Sequence, residues 1–446
     1  MQERLFRRTV TQGEFFMSSS ETPFDLSVLH EVIEGCCRTQ SGYHFNPADP
    51  IIAPYNRPFG AEEIFAVTQC LLQGEVKMGS RTRAFEMAFS HARDGRYGIM
   101  CNSGSSAKLL AVSALCNPKL DYAMQPGDEV IVPALAWPTT FWPLIQNQLV
   151  PVVVDVNAET LNLEPRSVEA ALSPRTRAVM AVHGYGNPCD MDGLGYLCAR
   201  HQLLLIEDCT EANGATYNGK ALGSHGRIGT FSFYHSHHMS TMEGGMCITD
   251  DPEIDDMIRI LRAHGWVRDV RDEKSYADRY PEVDPRFLFV NQGYNLRPTE
   301  IQSVIGEIQL KRLPAILAAR RHCGERMEQA MRPFSRYLRT QKTTPKGEHA
   351  RFSFPVTLTN DAPFTVAELR THLSDAGIET RTVSCGNIAR QPGFKYVPHR
   401  VVGALPHATR IMKHGLLLPV HQDMDEAAID YVIETLSRYF KQKNLL

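Results

Sequence analysis

Apolar positions along this chain follow two alternating patterns. From residue 61 onward, segments with helical spacing, such as Ala61 to Leu72, are followed by short runs that are nearly all apolar. The clearest of these runs are Tyr97 to Met100, Pro126 to Pro133, Val150 to Asp155, Ala178 to Val182 and Leu203 to Ile206. Strands of this kind are buried on both faces, and the stretches between them are long enough for helices. The pattern predicts an α/β fold around a mainly parallel sheet.

The pattern changes after about residue 306. A long helix is predicted over Gln309 to Met331, with Pro314 near its start, and a shorter α/β section follows it. This section ends in a predicted helix over Glu426 to Tyr439. The predicted organisation is an N-terminal arm (1–45), a large domain (46–306) and a smaller C-terminal α/β domain (307–446).

Composition excludes several classes of protein. The 446 residues are 43% hydrophobic and 22% charged, and the formal net charge of −3 gives no general attraction to nucleic acid or acidic membranes. No apolar run reaches the roughly 18 to 20 residues that a membrane span requires. The eleven cysteines include no C-x-x-C pair, and no secretory signal is recognisable. We expect a cytoplasmic protein with reduced thiols.

Two segments that follow predicted strands could bind a flat, phosphorylated ligand. Asn102-Ser-Gly-Ser-Ser106 precedes a helix, and Gly104 and Ser105 would leave backbone N–H groups open to a phosphate. The same turn could be an ordinary helix cap. Trp137 follows the strand over Val130 to Val132, where it could stack on a ring or simply pack against the protein.

The acidic pair after the strand at Leu203 to Ile206 offers a buried carboxylate. Asp208 must be paired if it is buried, either with a protonated ring nitrogen or as the N-cap of a helix. Glu211 lies about one turn further on and faces either the same ligand or solvent.

The loop between Gly229 and Gly245 carries a serine that could contact a phosphate and several histidines. Ser232 and His237 are the candidates, and no lysine occurs between Lys220 and Lys274. Imidazole has an ordinary pKa near 6.5, which suits a general base at neutral pH.

Together these segments resemble the fold-type I pyridoxal phosphate (PLP) enzymes, and within them the DegT-type nucleotide-sugar aminotransferases. The matching segments are Ser103-Gly-Ser-Ser-Ala107, Pro126-Gly-Asp-Glu129, Ile206-Glu-Asp-Cys-Thr-Glu-Ala212, Phe231-Ser-Phe233, Glu243-Gly-Gly245, Gly293-Tyr-Asn-Leu-Arg297 and Leu418-Pro419. The resemblance implies that Gly104, Ser105, Trp137, Asp208, Glu211, Ser232 and Asn295 bind the cofactor. It places His237 where the family has the lysine that holds PLP covalently.

The histidine and its neighbours resemble a subfamily, the 3-dehydratases of nucleotide-linked 4-keto-6-deoxy sugars. One branch of this subfamily uses an iron–sulfur cluster and a reductase partner, but this chain has no cysteine between Cys247 and Cys323 to bind such a cluster. The other branch needs no metal, and Ser236 to Gly245 and Arg262 to Trp266 resemble it more closely.

That branch implies a set of expectations for ligands and partners. PLP and its amine form, PMP, would be held non-covalently, L-glutamate would regenerate PMP, and His237 would move the proton at the cofactor C4′. The substrate would be a GDP-linked 4-keto-6-deoxyhexose, and ammonia would be released. Arg297 and Arg381 are candidates for the glutamate carboxylate or the sugar diphosphate. Asn295 would reach the phosphate site of a neighbouring subunit in a homodimer.

Two other functions remain open from the sequence. An ordinary sugar aminotransferase could recruit a lysine from elsewhere in the chain, and reduction with borohydride would then fix the cofactor to the protein. A catalytically inactive PLP-fold binding or regulatory protein could also have lost the lysine, and it would turn over no glutamate.

Overall fold

The computed structural model of the chain describes residues 26–39, 45–55 and 58–445. The helices are α1 (Leu26–Thr39), α2 (Ala61–Gln73), α3 (Ser80–His91), α4 (Gly104–Leu115), α5 (Trp142–Gln146), α6 (Pro165–Ala171), α7 (Met191–His201), α8 (Pro252–Arg262), α9 (Glu273–Arg279), α10 (Glu300–Met331), α11 (Val366–Asp375), α12 (Pro406–His414) and α13 (Glu426–Gln442). The strands are β1 (Tyr97–Cys101), β2 (Glu129–Pro133), β3 (Val150–Val154), β4 (Thr176–Val182), β5 (Leu204–Asp208), β6 (Thr216–Tyr217), β7 (Lys220–Ala221), β8 (Ile228–Ser232), β9 (Gly245–Thr249), β10 (Leu338–Thr340), β11 (Gly347–Glu348), β12 (Phe354–Leu358), β13 (Arg400–Val401) and β14 (Gly415–Leu418).

The large sheet has eight strands in the order β1-β9-β8-β5-β4-β2-β3-β13. All neighbouring pairs from β8 to β13 are parallel, and only β9 runs antiparallel to its neighbours β8 and β1. Alternate residues of β2 enter different cores, with Val130 and Val132 in one hydrophobic cluster and Ile131 in the other. This alternation requires helices on both faces of the sheet. The prediction of a mainly parallel, doubly covered sheet is confirmed.

A separate core lies in the C-terminal part of the chain. Strands β10, β12 and β14 form an antiparallel sheet, and residues such as Phe354, Leu369 and Val432 join it to α11 and α13. Ile52, from the N-terminal side of the chain, is fully buried in the same core. The segment over Arg400–Val401 returns to the edge of the large sheet beside β3. The smaller α/β domain therefore shares strands and core residues with the rest of the chain.

The long helix begins earlier than its sequence pattern indicated. It starts at Glu300, not at Gln309, because the Thr299 side chain and Gln302 form a reciprocal N-terminal cap. Pro314 lies within the helix. A domain boundary between residues 306 and 307 falls inside α10, so this helix would belong to both domains; the boundary remains a proposal.

Part of the predicted N-terminal arm is helical. Helix α1 covers Leu26–Thr39 and contacts α2, where the rings of His30 and Phe65 lie 4.7 Å apart. The rest of the arm up to residue 44 lies outside the described residues. Across the described ranges, no helix has the length and apolar character needed to cross a membrane.

Candidate active site

A pocket of about 740 Å³ opens at the carboxyl ends of the central strands. The loop after β2 contributes Trp137, the loop after β5 contributes Glu211, and the loop after β8 contributes His237. The carboxyl edge of a parallel sheet is the usual position of a ligand site in this architecture. The sequence-predicted residues Gly104, Ser105, Ser232 and Arg381 also line this pocket.

The N-terminus of α4 forms one wall. Ser103 is the N-cap, and its hydroxyl oxygen accepts a hydrogen bond from the Ser106 N–H at 3.1 Å. At Gly104, an added Cβ would lie 2.4 Å from the Cβ of Ser232, so only glycine fits where helix and strand meet. Ser105 is exposed to the pocket. The turn is therefore both a helix cap and a wall of backbone N–H groups and hydroxyls that suits a phosphate.

Asp208 is the buried acid predicted from the sequence. Its Oδ1 accepts hydrogen bonds from the N–H and the hydroxyl of Thr210, at 3.2 and 2.7 Å, and its Oδ2 accepts one from the Thr140 hydroxyl at 2.8 Å. Burial alone would raise the pKa of Asp208, but the Lys108 ammonium, 2.8 Å from Oδ2, and these hydroxyls lower it. The carboxylate is ionised and does not cap a helix.

The neighbouring Glu207 has a structural role instead. Its carboxylate accepts hydrogen bonds from the N–H groups of Gly223 and Gly226, and it lies 3.2 Å from His183 Nε2. His183 Nδ1 in turn accepts a hydrogen bond from the Cys189 N–H. Because its acceptor atoms are engaged by the protein, Glu207 fixes the turn before β8 and leaves Asp208 to serve the pocket.

Lys108 was not predicted as a site residue. It lies on α4 one turn after Gly104, lines the pocket with a side chain that is 3% exposed, and is the one lysine among the described residues of the lining. The i, i+4 spacing from Gly104 is the signal that could have identified it, since such residues share a helix face. A lysine from elsewhere in the chain does therefore enter the site.

Glu211 is half-buried at the pocket wall, where its Oε2 accepts a hydrogen bond from the Tyr185 N–H at 2.8 Å. Burial, reinforced by the charge of Asp208, raises the pKa of Glu211 to about 7. Near neutral pH this carboxyl can therefore either donate or accept a proton. The structure places Glu211 at the pocket and not in bulk solvent, and its contact with a ligand stays a prediction.

His237 follows the strand β8 and faces the same pocket. Its Nδ1 is buried without a hydrogen-bond partner among the described residues, and its ring makes edge contacts with Phe352 and Tyr234. Burial and the positive charge of Lys108 lower the pKa of His237 to about 4. The imidazole is therefore neutral at pH 7 and can accept a proton. His238 is directed elsewhere, since its Nε2 lies 2.9 Å from the Ala350 carbonyl oxygen.

The mouth of the pocket combines an aromatic ring with positive charge. The Trp137 side chain is 57% exposed, so a face of the indole is free for stacking. Arg381 lies over the ring of Tyr55, 4.7 Å from its centroid, and Arg370 on α11 joins it in the lining. Arg370 was missed because an exposed arginine on a helix gives no sequence signal of its own.

Three predicted residues do not line this pocket: Asp208 lines a small adjoining cavity with Trp137, Thr210 and Glu211, whereas Asn295 and Arg297 lie elsewhere. Asn295 and Arg297 are exposed, and the Arg297 Nε donates a hydrogen bond to Asn295 Oδ1 at 3.2 Å. Neither belongs to the pocket lining in the described part of the chain. For Arg297, this single chain offers no contact with a ligand in the pocket; the role of Asn295 in a neighbouring subunit stays a prediction.

The pocket fits PLP by its own features. It offers the N-terminus of α4, where only glycine fits at position 104, and an unpartnered buried nitrogen at His237. A small cavity that shares Trp137, Thr210 and Glu211 with the pocket adds the buried, ionised carboxylate of Asp208. Fold and site thus define a fold-type I PLP enzyme with a small C-terminal α/β domain. A sequence profile of the DegT/DnrJ/EryC1/StrS aminotransferase family matches residues 59–437, and the chain belongs to that family.

Similar proteins refine this assignment. The chain is 35% identical over 400 residues to dTDP-4-dehydro-2,6-dideoxy-D-glucose 3-dehydratase of Saccharopolyspora spinosa, covering 86% of each protein. It is 36% identical over 370 residues to GDP-4-keto-6-deoxy-D-mannose 3-dehydratase of Yersinia pseudotuberculosis, covering 82% of this chain and 93% of the relative. A crystal structure of GDP-4-keto-6-deoxymannose-3-dehydratase with a trapped PLP–glutamate geminal diamine superposes with a TM-score of 0.79 at 33% identity, covering 86% of this chain and 100% of that one.

Proposed function

We propose that this chain is a PLP/PMP-dependent 3-dehydratase of a nucleotide-linked 4-keto-6-deoxyhexose, with GDP-4-keto-6-deoxy-D-mannose as the substrate. The products are the 4-keto-3,6-dideoxy sugar and ammonia, and L-glutamate restores the amine form of the cofactor. The proposal rests above all on His237, a base with a free buried nitrogen at the end of β8, in a pocket otherwise built for PLP.

The residues around the pocket divide the binding task. The N-terminus of α4 and Ser232 would hold the phosphate, the Asp208 carboxylate would hold the ring nitrogen, and Trp137 would cover a ring face. When bound, PLP supplies a carbonyl that exchanges with amines and a ring that delocalises the electrons released beside it. The contacts of these residues replace the covalent bond that a lysine would have made.

His237 carries the proton transfer. Because its pKa is about 4, the ring is neutral at pH 7 and its nitrogen can take a proton from the cofactor C4′ carbon. Imidazole cannot condense with a carbonyl carbon in the way a primary amine does. The protein therefore keeps a base at this position and has no group there that could recapture the cofactor, which favours release of an aminated product for hydrolysis.

The electron balance explains why glutamate is required. Replacing the C3 hydroxyl by hydrogen is a two-electron reduction of the sugar. The oxidation of L-glutamate to 2-oxoglutarate and ammonia supplies those two electrons, so one glutamate is consumed for each sugar converted. No metal centre or reductase partner enters this balance.

The substrate's charged groups have candidate partners at the pocket mouth. Arg381 and Arg370 bring two guanidinium groups to the lining, and arginine binds diphosphates and carboxylates through paired hydrogen bonds. The choice of GDP is supported by the name of the Yersinia relative, whereas the Saccharopolyspora relative is named for a dTDP-linked sugar. Both carriers belong in the test.

We also propose that the active form is a cytoplasmic homodimer. Asn295 and Arg297 are exposed and paired with each other, which leaves their remaining polar atoms available to a second subunit. A cytoplasmic location is supported by the buried cysteines, such as Cys101, Cys209 and Cys247, which are reduced thiols.

The test is a balance of products. Purified protein with PLP, L-glutamate and GDP-4-keto-6-deoxy-D-mannose should form ammonia, 2-oxoglutarate and dideoxy sugar in equal amounts, and the dTDP-linked sugar should react more slowly. The His237→Asn variant should lose turnover while still binding PLP. A product that retains the amino group would instead support a sugar aminotransferase, and a protein that binds PLP without consuming glutamate would support an inactive PLP-fold binder.

A further inference from the structure

The site contains a cation that the proposed chemistry does not use. The Lys108 ammonium lies 2.8 Å from Asp208 Oδ2, and both side chains are almost completely buried, at 3% and 1% exposure. The same oxygen also accepts the Thr140 hydroxyl, and the other oxygen is engaged by Thr210. The carboxylate that would hold the cofactor ring is therefore already neutralised by the protein.

A protonated ring nitrogen would bring a second cation to the same carboxylate. Two positive charges near one negative charge in a buried site repel each other strongly, because little water screens them. The bound ring nitrogen must then share Asp208 with Lys108 or displace it. Either outcome weakens the hold on the cofactor compared with an Asp208 that had no partner.

We propose that Lys108 is a positioning residue that competes with the cofactor ring nitrogen for Asp208 and so sets how tightly the non-covalently held PLP is bound. This inference rests on the PLP binding proposed above. Lys108 helps to lower the pKa of Asp208, and its charge also lowers the pKa of His237. The positive charges that act on His237 are those of Lys108 on α4 and Arg320 on α10, whereas burial lowers the pKa of the adjacent His238 and keeps it neutral. The acids nearby are Glu211 and Glu243 in the pocket lining and Asp208 beside Lys108.

Lys108 could alternatively act as the amine that holds PLP covalently. Its ion pair with Asp208 argues against that role, because the charged ammonium has no lone pair with which to attack a carbonyl carbon. The ion pair also holds the Lys108 nitrogen at the carboxylate that would bind the ring nitrogen.

The test measures PLP affinity of the full-length apoprotein by absorbance titration. Lys108→Gln removes the charge but keeps a donor for Asp208, and we expect it to bind PLP about tenfold more tightly than the wild type. Lys108→Arg keeps the charge and should restore an affinity close to the wild-type value. Lys311→Met, which removes an exposed lysine on α10, should leave the affinity unchanged.

Each outcome decides one of the two proposals. If the wild type binds PLP but Lys108→Gln binds it equally or more weakly, the competition is refuted and the cofactor assignment stands. If the wild type does not bind PLP at all, both proposals fail. A cofactor fixed by borohydride to the peptide that contains Lys108, seen by mass spectrometry, would refute the positioning role and identify Lys108 as the covalent amine.

A second readout separates an electrostatic effect from a merely structural one. The rate of the glutamate half-reaction should fall at low pH as His237 becomes protonated; we call this part of the pH profile the acid limb. Loss of the Lys108 charge should move the acid limb to higher pH, because this charge helps to lower the pKa of His237. A variant that only perturbed packing would reduce the rate at every pH without moving the limb; that result would count against the proposal.

Discussion

The Asp208→Asn substitution tests the structure independently of any ligand. In the wild-type apoprotein, the Asp208 carboxylate pairs with Lys108 at 2.8 Å and accepts three hydrogen bonds from Thr140 and Thr210. Asparagine removes the charge and replaces one acceptor oxygen by an N–H donor. Lys108 then remains buried without a counter-ion, which costs about 3–5 kcal/mol in comparable cases. We expect a loss of that size in the free energy of unfolding.

The measurement is urea denaturation of the cofactor-free protein at pH 7, followed by circular dichroism. A double variant provides the control. In Asp208→Asn combined with Lys108→Met, no buried charge is left unpaired, so this protein should be more stable than Asp208→Asn alone by about 2 kcal/mol. A loss below about 1 kcal/mol for Asp208→Asn, or strictly additive effects in the double variant, would refute the argument from a buried ion pair.

The pH dependence of this difference has a definite sign. The pKa of Asp208 is lowered in the folded protein relative to an ordinary value near 3.9. The stabilisation from its ionised form is thus fully present above about pH 4 and is lost as the pH falls through the lower folded pKa. The stability gap between the wild type and Asp208→Asn should therefore narrow in acid, and a gap that widened below pH 4 would contradict the assignment.

Three further predictions concern the pocket. Gly104→Ala should weaken PLP binding about tenfold or more, because the added Cβ would lie 2.4 Å from the Ser232 Cβ. As a control, Gly195→Ala should bind PLP normally in the same titration, because a Cβ added at Gly195 would have no atom within 4 Å. The rate of the glutamate half-reaction should rise with pH through about 4, the pKa of His237, and an acid limb near 6.5 would mean that the imidazole is not buried in the working enzyme. Arg381→Ala should raise the KM for the sugar nucleotide about tenfold or more and leave PLP affinity within about twofold, and equal losses in both would place Arg381 at the cofactor instead.

Much of the fold could be predicted because a buried parallel strand has a distinctive composition. In β2, the consecutive residues Val130, Ile131 and Val132 are all fully buried. Because consecutive strand residues point to opposite faces, their burial means that both faces of the sheet are covered. The start of α10 could not be placed from the apolar pattern. The start is set by the hydrogen-bonded cap between Thr299 and Gln302. Both residues are polar, so they do not contribute to the spacing of apolar positions that predicts a helix.

The candidate site could be predicted only in part from the sequence. Chain order placed Asp208 and His237 in one site because strand ends meet at one edge of a parallel sheet. Asp208, and not Glu207, was predicted as the acid of the site, and the structure gives the physical reason for the difference. The difference depends on the N–H groups of Gly223 and Gly226, which bind Glu207 from a turn 16 to 19 residues away.

Lys108 illustrates a different limit. The loop after β8, where the family has a lysine, contains none. The lysine that does line the pocket comes from α4, and its nitrogen reaches the site only because α4 packs against β8 and β9. The i, i+4 spacing places Lys108 on the face of α4 that carries Gly104, but only tertiary packing brings its charge to Asp208.

These observations together explain how a PLP site can work without a covalent bond to the protein. In the proposed site, the affinity would come from the N-terminus of α4, the Asp208 carboxylate and the face of Trp137, each of which would supply only part of it. By the competition proposed above, Lys108 would reduce the Asp208 contribution, and the cofactor would be held less tightly than the number of contacts suggests. Such a site suits a reaction in which the cofactor must pass repeatedly between its aldehyde and amine forms, because no form is retained by a bond to the enzyme.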